Sequence, residues 1–158
     1  MGLFEPNVRY RCCLGVARLS GVRKAITIHS LAHARLALQA ASEIGRPVLL
    51  LSAPYAAGTV GPGWFQAVIA EAATEFNDME IEAMLDCGDR AGYALAALRQ
   101  GITHIRFEGK TKDKVTDIAN QLGAQVSTAR PDSLDLYALE IQGESLDKAC
   151  RDWLLEVD

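Results

Sequence analysis

The fold is decided by residues 82–109, which read Glu82-Ala-Met-Leu-Asp-Cys-Gly-Asp-Arg-Ala-Gly-Tyr-Ala-Leu-Ala-Ala-Leu-Arg-Gln-Gly-Ile-Thr-His-Ile-Arg-Phe-Glu-Gly109. An apolar strand ends here in an acid, an alanine-rich helix closes at Gly101, and a second strand again ends in an acid. Repeated strand–helix units make parallel strands with right-handed crossovers. The carboxyl ends of parallel strands meet at one edge of the sheet, where α/β proteins bind ligands. We therefore expect Asp86 and Glu108 to lie on that edge.

The same alternation of strands and helices extends over the rest of the chain. It predicts strands over 25–28, 48–51, 81–85, 102–107, 124–127 and 136–141, with helices between them and a last amphipathic helix over 146–157. We predict an α/β fold, a mostly parallel sheet of five or six strands with helices on both faces. An open three-layered form is favoured over a half-barrel-like one, because a short chain cannot close eight strands. Residues 25–158 form this single domain, and residues 1–24 form an N-terminal arm or hairpin.

Composition excludes several classes of protein. The 158 residues carry a net charge of -4, which argues against a nucleic-acid surface. No apolar run approaches the ~20 residues that span a bilayer, and residues 1–11 do not resemble a secretory signal. The four cysteines include the adjacent pair Cys12 and Cys13, which cannot readily bridge each other, and no CxxC motif occurs. We expect reduced thiols, a cytoplasmic protein and no cofactor.

Polar residues follow the predicted strands and supply candidates for acid–base chemistry. Two carboxylates, an imidazole, the thiol of Cys87 and an amine would converge on one edge of the sheet. The candidate catalytic residues are Asp86, Glu108, His29 and Lys110. Structural roles stay open for each of them: Asp86 as a turn cap, His29 as a strand end, and Glu108 with Lys110 as a solvated pair.

The loop after the second strand, residues 52–64, is a candidate anion site. It contains three glycines and leads directly into a helix with Pro62 in its first turn. Glycines let backbone N–H groups approach an anion, and the start of a helix favours negative charge. No Gly-Lys-Ser/Thr follows, so the loop is not a P-loop. The candidate ligand-binding residues are Ser52, Tyr55, Gly58, Thr59, Gly61 and Gly63, and a loop without a ligand is the alternative.

Five segments carry a resemblance to a known family. They are Ala37–Glu43, Pro47-Val-Leu-Leu-Leu51, Tyr55-Ala-Ala-Gly58, Ala83-Met-Leu-Asp-Cys-Gly88 and Ala97-Leu-Arg-Gln-Gly-Ile-Thr-His-Ile-Arg-Phe-Glu-Gly109. In order and spacing they resemble the N-terminal half of class II fructose-bisphosphate aldolases and the related tagatose enzymes, over about residues 26–126. The resemblance implies a TIM-barrel-related fold, with Asp86 matching the proton-transferring Asp and Cys87 replacing a metal-binding His.

The resemblance also implies an incomplete metal site. The family's other metal ligands and phosphate loops lie in the second half of the barrel, and this chain has no histidine after His104. We expect an aldolase-related domain without a metal. Its expected function is non-catalytic, either the binding of a small molecule or phosphate or the regulation of another process. We also expect a homodimer or another homo-oligomer. The alternative is a lyase or isomerase of phosphorylated sugars, with Asp86 as the acid/base and a site completed by another subunit.

Overall fold

The computed structural model describes residues 23–156, in which six parallel strands form one open sheet in the order β5-β4-β3-β2-β1-β6. The strands are β1 (Ala25–Ile28), β2 (Leu49–Ser52), β3 (Glu82–Asp86), β4 (His104–Arg106), β5 (Gln125–Ser127) and β6 (Ser133–Asp135). The helices are α1 (Leu31–Ile44), α2 (Ala56–Thr59), α3 (Pro62–Ala73), α4 (Ala91–Arg99), α5 (Lys112–Gln121), α6 (Leu136–Ile141) and α7 (Leu146–Leu155). The predicted α/β class with a parallel sheet is confirmed. The predicted arm lies outside the described residues, apart from residues 23 and 24.

The two faces of the sheet differ in what covers them. Alternate strand residues such as Ile26, Leu50 and Leu85 join the buried residues of the helices in one large apolar cluster. The intervening strand residues form a second, small cluster that contains no helix residue: Ala25, Leu49, Leu51 and Met84. The helices of the described chain therefore cover one face, which is the half-barrel-like form of the prediction rather than the three-layered form.

The short connection between β5 and β6 requires a strongly curved sheet. Only residues 128–132 join these strands, although β5 and β6 lie at opposite ends of the strand order. In a flat sheet they would be five interstrand spacings apart, about 24 Å. The six peptide units from Ser127 to Ser133 reach at most about 22 Å, and they must also return to the amino end of β6. The sheet is thus bent into a half barrel, with the helices on its convex face.

The sixth strand differs from the prediction. Residues 136–141 were expected to be a strand but form α6, and the strand beside β1 consists of the three residues that precede them. The carboxylate of Asp135 accepts hydrogen bonds from the N–H groups of Tyr137 and Ala138 and so caps the helix. This cap favours a helix over the strand that the apolar alternation allowed.

Local hydrogen bonds set both ends of α1. The Ser30 side chain accepts a hydrogen bond from the His33 N–H at the start of α1, and Gly45 closes that helix in the left-handed conformation with φ +70°. The last helix, α7, packs on α1, and Trp153 Nε1 donates to the carbonyl of Ala25 at 3.0 Å. No helix within residues 23–156 is both long and apolar enough to cross a bilayer.

Candidate functional site

Asp86 lies at the end of β3 with its carboxylate on the concave face, and it is 1% exposed. Its Oδ1 accepts hydrogen bonds from the Gly88 N–H at 2.9 Å and from Arg106 Nη1 at 3.5 Å. Its Oδ2 accepts one from Arg130 Nη1 at 2.9 Å. A carboxylate removed from water needs such charged donors to remain ionised. Two arginines therefore occupy both oxygens of this acid.

Arg130 belongs to the connection between β5 and β6 and crosses the concave face of the sheet. Its Nη2 donates to Thr27 Oγ1 at 3.0 Å and to the carbonyl of Ser52 at 2.9 Å. One side chain thus ties the connection to the ends of β2 and β3 and to β1. Arg130 was not among the predicted site residues, because the nearby Pro131 and Ser133 indicated only a turn.

Arg106 links the two acids that the sequence placed on a shared edge. It pairs in register with Asp86, and its Nη2 donates to the Glu108 carboxylate. The expectation that Asp86 and Glu108 lie on the same edge is therefore confirmed. Arg106 Nε is buried and has no hydrogen-bond partner among the described residues. The alternation of polar His104 and Arg106 with apolar residues was the signal that could have identified this arginine.

The loop after β2 contributes to this edge through its first residues. Ser52 Oγ accepts a hydrogen bond from the Asp86 N–H at 2.9 Å. Tyr55 adopts a positive φ of 60°, and its ring lies between Gly58 and Gly88. A Cβ atom at either glycine would come within 2.4 Å of that ring. The absence of a side chain at Gly58 therefore makes room for Tyr55.

The rest of the loop forms local contacts away from Asp86. Thr59 Oγ1 and the Gly61 N–H both donate to the carbonyl of Ala56, at 3.4 and 3.1 Å. Gly63 lies beside the Gln100 side chain, at the end of α4. Of the six predicted ligand-binding residues, Ser52 is the one with a hydrogen bond to Asp86 in the described chain.

The other two predicted catalytic residues lie apart from Asp86. His29 follows β1, and its Nε2 is 2.9 Å from Asp135 Oδ1 across the β1–β6 edge. Its ring also contacts Tyr137, with 5.2 Å between ring centroids. Lys110 lies in the loop between β4 and α5 and lines an open groove with Glu108. The structure brings together Asp86 and Glu108, whereas His29 lies two strands away along the same carboxyl edge and contacts Asp135 instead.

That groove lies between the loops that follow β3 and β4, and we call it the loop groove. Its lining residues are Asp89, Arg90, Ala91, Gly92, Tyr93, Ala96, Glu108, Gly109, Lys110 and Thr111. Both α4 and α5 begin here, and neither helix has a side-chain cap. The first N–H groups of a helix have no partner within it and carry partial positive charge. Arg90 and Lys110 add two cations and Asp89 and Glu108 add two carboxylates, of which Asp89 lies 3.5 Å from Arg90 Nε and Glu108 pairs with Arg106.

Gly109 holds the two loops of the groove together. It is buried, and a Cβ atom there would lie 2.4 Å from the carbonyl oxygen of Asp89 and 2.4 Å from the ring of Phe107. Contacts this short do not occur between real Cβ atoms and backbone. The start of α5 can approach the start of α4 because this position has no side chain.

The Cys87 thiol, which was expected to converge with the acids on the shared edge, instead packs on the convex side in the cluster of the helices and is fully buried. Burial raises the pKa of its thiol to about 12, and the neighbouring Asp86 charge adds to this effect. The thiol is therefore protonated at neutral pH and points into the apolar core. Within residues 23–156, no group of three or more His, Cys, Asp and Glu side chains is arranged to hold a metal ion.

A scan against protein-family models gave no match, and neither did a search of the curated proteins.

Proposed function

We propose that this chain is a non-catalytic protein that binds a small phosphorylated molecule in the loop groove. The observation that carries the proposal is the start of two helices without side-chain caps at one groove, beside Arg90 and Lys110. Helix N-termini bind phosphate through free N–H groups and a favourable dipole. Lys110 has no ion-pair partner among residues 23–156, so its charge is available to an anion.

The surroundings of Asp86 favour binding over catalysis. An acid that transfers protons to a substrate must reach it within hydrogen-bond distance. Both oxygens of Asp86 are instead occupied by Arg106, Arg130 and the Gly88 N–H, and the side chain is 1% exposed. The alternative, a lyase or isomerase of phosphorylated sugars, needs Arg130 to withdraw from Asp86 and a second subunit to complete the site.

An aldolase-related origin is part of the proposal and is supported by the strand order. Strands β1 to β5 are neighbours in chain order, with helices on the convex face, as in consecutive units of a (β/α)₈ barrel. In this proposal the ligand regulates the protein itself, or the protein senses the ligand and regulates another process. The two described cysteines, Cys87 and Cys150, are free thiols, which supports a reducing compartment such as the cytoplasm.

Titration calorimetry with fructose 1,6-bisphosphate tests the ligand class, with unphosphorylated fructose as the control. We expect saturable binding of the phosphorylated sugar alone. Lys110→Met should weaken it about fivefold, since one charge near a bound anion contributes roughly 1 kcal/mol. The matched control is Lys114→Met, which removes an exposed lysine of α5 outside the groove. Equal affinity for both sugars, or equal effects of both variants, would refute phosphate binding in the groove.

A turnover assay separates binding from catalysis. The protein is incubated with fructose 1,6-bisphosphate and Zn²⁺, and release of triose phosphate is followed. We expect no release above a protein-free control. Turnover that is lost in Asp86→Ala and retained in Lys114→Met would replace the non-catalytic proposal by the lyase alternative.

We also propose that the chain forms a homo-oligomer through its open sheet edges. In the described chain β5 and β6 each pair with one neighbouring strand, and unpaired edges are sites of strand addition. Exposed apolar side chains accompany both edges, Leu122 after α5 and Ile141 at the end of α6. Light scattering should show a dimer that dissociates in Ile141→Lys. A monomer at millimolar concentration would exclude this assembly.

A further inference from the structure

A cavity of about 210 Å³ lies at the amino ends of β3, β4 and β5, whereas the loop groove lies at the carboxyl ends of the strands. Its wall is apolar and comes from α3 and from the residues that lead into β3, with Phe65, Ile69 and Ile81 among them. Polar side chains line the rest of the cavity, among them Gln66, Thr103 and Gln125. A concave apolar wall with a few polar groups is the usual form of a small-molecule site.

The charges around this cavity are of one sign. Its ionisable lining residues are Glu80, Glu82 and His104, without a lysine or arginine. Burial lowers the pKa of His104 below its ordinary value, so this imidazole is neutral at pH 7. The cavity therefore combines an apolar wall with net negative charge at neutral pH.

One of the two carboxylates already binds a cation of this chain. Glu82 forms a salt bridge with the guanidinium of Arg23, which shows that a positively charged group fits beside this opening. Glu80 is exposed and has no ion-pair partner within the described residues. A cationic group on a ligand would find an uncompensated carboxylate here.

We propose that this cavity binds a small primary amine with a compact apolar body. The apolar part packs against Phe65, Ile69 and Ile81, and the ammonium group pairs with Glu80. The lining determines the orientation of the ligand. Its ammonium group lies at the opening because the Glu80 carboxylate is exposed there, and its apolar body lies inside because the apolar side chains are buried or half-buried. A carboxylate ligand of the same shape meets repulsion from Glu80, whose charge no partner in the described residues compensates, so charge provides the selectivity.

Three isosteric probes test the proposal, with benzylamine as the cation, benzyl alcohol as the neutral analogue and benzoate as the anion. Two-dimensional NMR titration of the full chain at pH 7 gives both affinity and location. We expect saturable shifts from benzylamine at the backbone of Gly101–Thr103, weaker ones from benzyl alcohol and none from benzoate. Shifts that concentrate at Asp89–Tyr93 and Glu108–Thr111, which line the loop groove, or equal binding of benzoate, would overturn the proposal.

Glu80→Gln separates the charge from the apolar contact. It should weaken benzylamine binding about fivefold, the upper range for a partly exposed ion pair, and leave benzyl alcohol binding unchanged. Glu144→Gln is the matched control, because it removes the same charge from an exposed position outside the cavity. If the two variants bind benzylamine equally, Glu80 does not recognise the ammonium group and the proposal is wrong.

Discussion

At the scale of single residues, the contact between Asp86 and Arg130 determines what the concave face can do. The acid is buried, and the arginine reaches it from a connection that is 44 residues further along the chain. Burial of an ion pair is tolerated when each charge keeps its partner and its hydrogen bonds. Here the pair joins the ends of β2 and β3 to the β5–β6 connection. Asp86, which resembles an active-site acid, therefore has a structural role.

Replacement of Arg130 tests this role. Arg130→Ala should lower the free energy of unfolding by about 3 kcal/mol, because it leaves a buried carboxylate without its main charged donor. Urea unfolding followed by circular dichroism measures the change. Lys114→Ala, on the exposed side of α5, should change stability by less than about 0.5 kcal/mol. A double variant, Asp86→Asn with Arg130→Ala, should cost less than the sum of the two, and strict additivity would contradict a direct coupling.

His104 gives stability a predictable dependence on pH. Burial lowers the pKa of His104 below its ordinary value of 6.5, so the folded protein binds a proton here less readily than the unfolded chain. The folded state is therefore destabilised as pH falls through about 6.5, and no such loss from His104 occurs above it.

A comparison of the wild type with His104→Gln measures this effect. The wild type should lose more free energy of unfolding than the variant when the pH falls from 7.5 to 5. The other ionisable groups are common to both proteins, so their contributions cancel in the difference. Parallel stability curves for the two proteins over this range would show that His104 is not responsible.

At the scale of elements, the sequence predicts the bounds of a helix or strand where interactions between residues close in the chain determine them. The bounds of β1 agree with the predicted strand over 25–28, and the ends of α1 are set by the Ser30 cap and the Gly45 closure, which act within a few residues. The shared edge of Asp86 and Glu108 also follows from repeated strand–helix units. The α6 helix did not follow, because one cap outweighs a short alternation that fits either structure.

Contacts between distant residues could not be predicted in this way. Arg130 reaches Thr27, which is 103 residues earlier, and no periodic pattern records such a contact. The loop after β2 was interpreted as an anion site from its glycines. In the structure Gly58 makes room for the ring of Tyr55, while the starts of α4 and α5 form the groove that the sequence did not reveal.

The fit of the Tyr55 ring between two loops yields a prediction about Gly88. This glycine has φ +60°, and a Cβ atom there would lie 2.4 Å from the Tyr55 ring. Gly88→Ala should lower the free energy of unfolding by about 3 kcal/mol, from the left-handed backbone and from overpacking together. Gly143→Ala shares the backbone cost, with φ +73°, but has open space. It should cost about 1 kcal/mol.

Thermal or urea unfolding of the two glycine variants measures this difference. Equal losses would mean that the Tyr55 ring moves aside freely, and the tight fit would then have no energetic consequence. A Tyr55→Ala background should remove the excess cost of Gly88→Ala and leave the backbone cost, because the clash is then absent.

At the scale of the whole molecule, the open half barrel predicts unequal protection of its strands from hydrogen exchange. The interior strand β2 has a neighbour on each side, whereas β5 and β6 lie at the edges in the described chain. At micromolar concentration, amides of Leu49–Ser52 should exchange most slowly and those of β5 much faster. If the edges pair between copies, protection of β5 rises with protein concentration. Equal protection of β2 and β5 at all concentrations would contradict an open sheet.

The pairing of β1 with β6 has a consequence for biosynthesis. Thr27 meets Ser133 across 106 residues of chain, and Trp153 reaches Ala25 across 128. Contacts of such sequence separation form late and slowly. A nascent chain that has not yet emerged beyond Trp153 lacks the strand and the helix that enclose its first strand. This domain therefore cannot complete its fold before Trp153 leaves the ribosome, and its early strands need protection from aggregation until then.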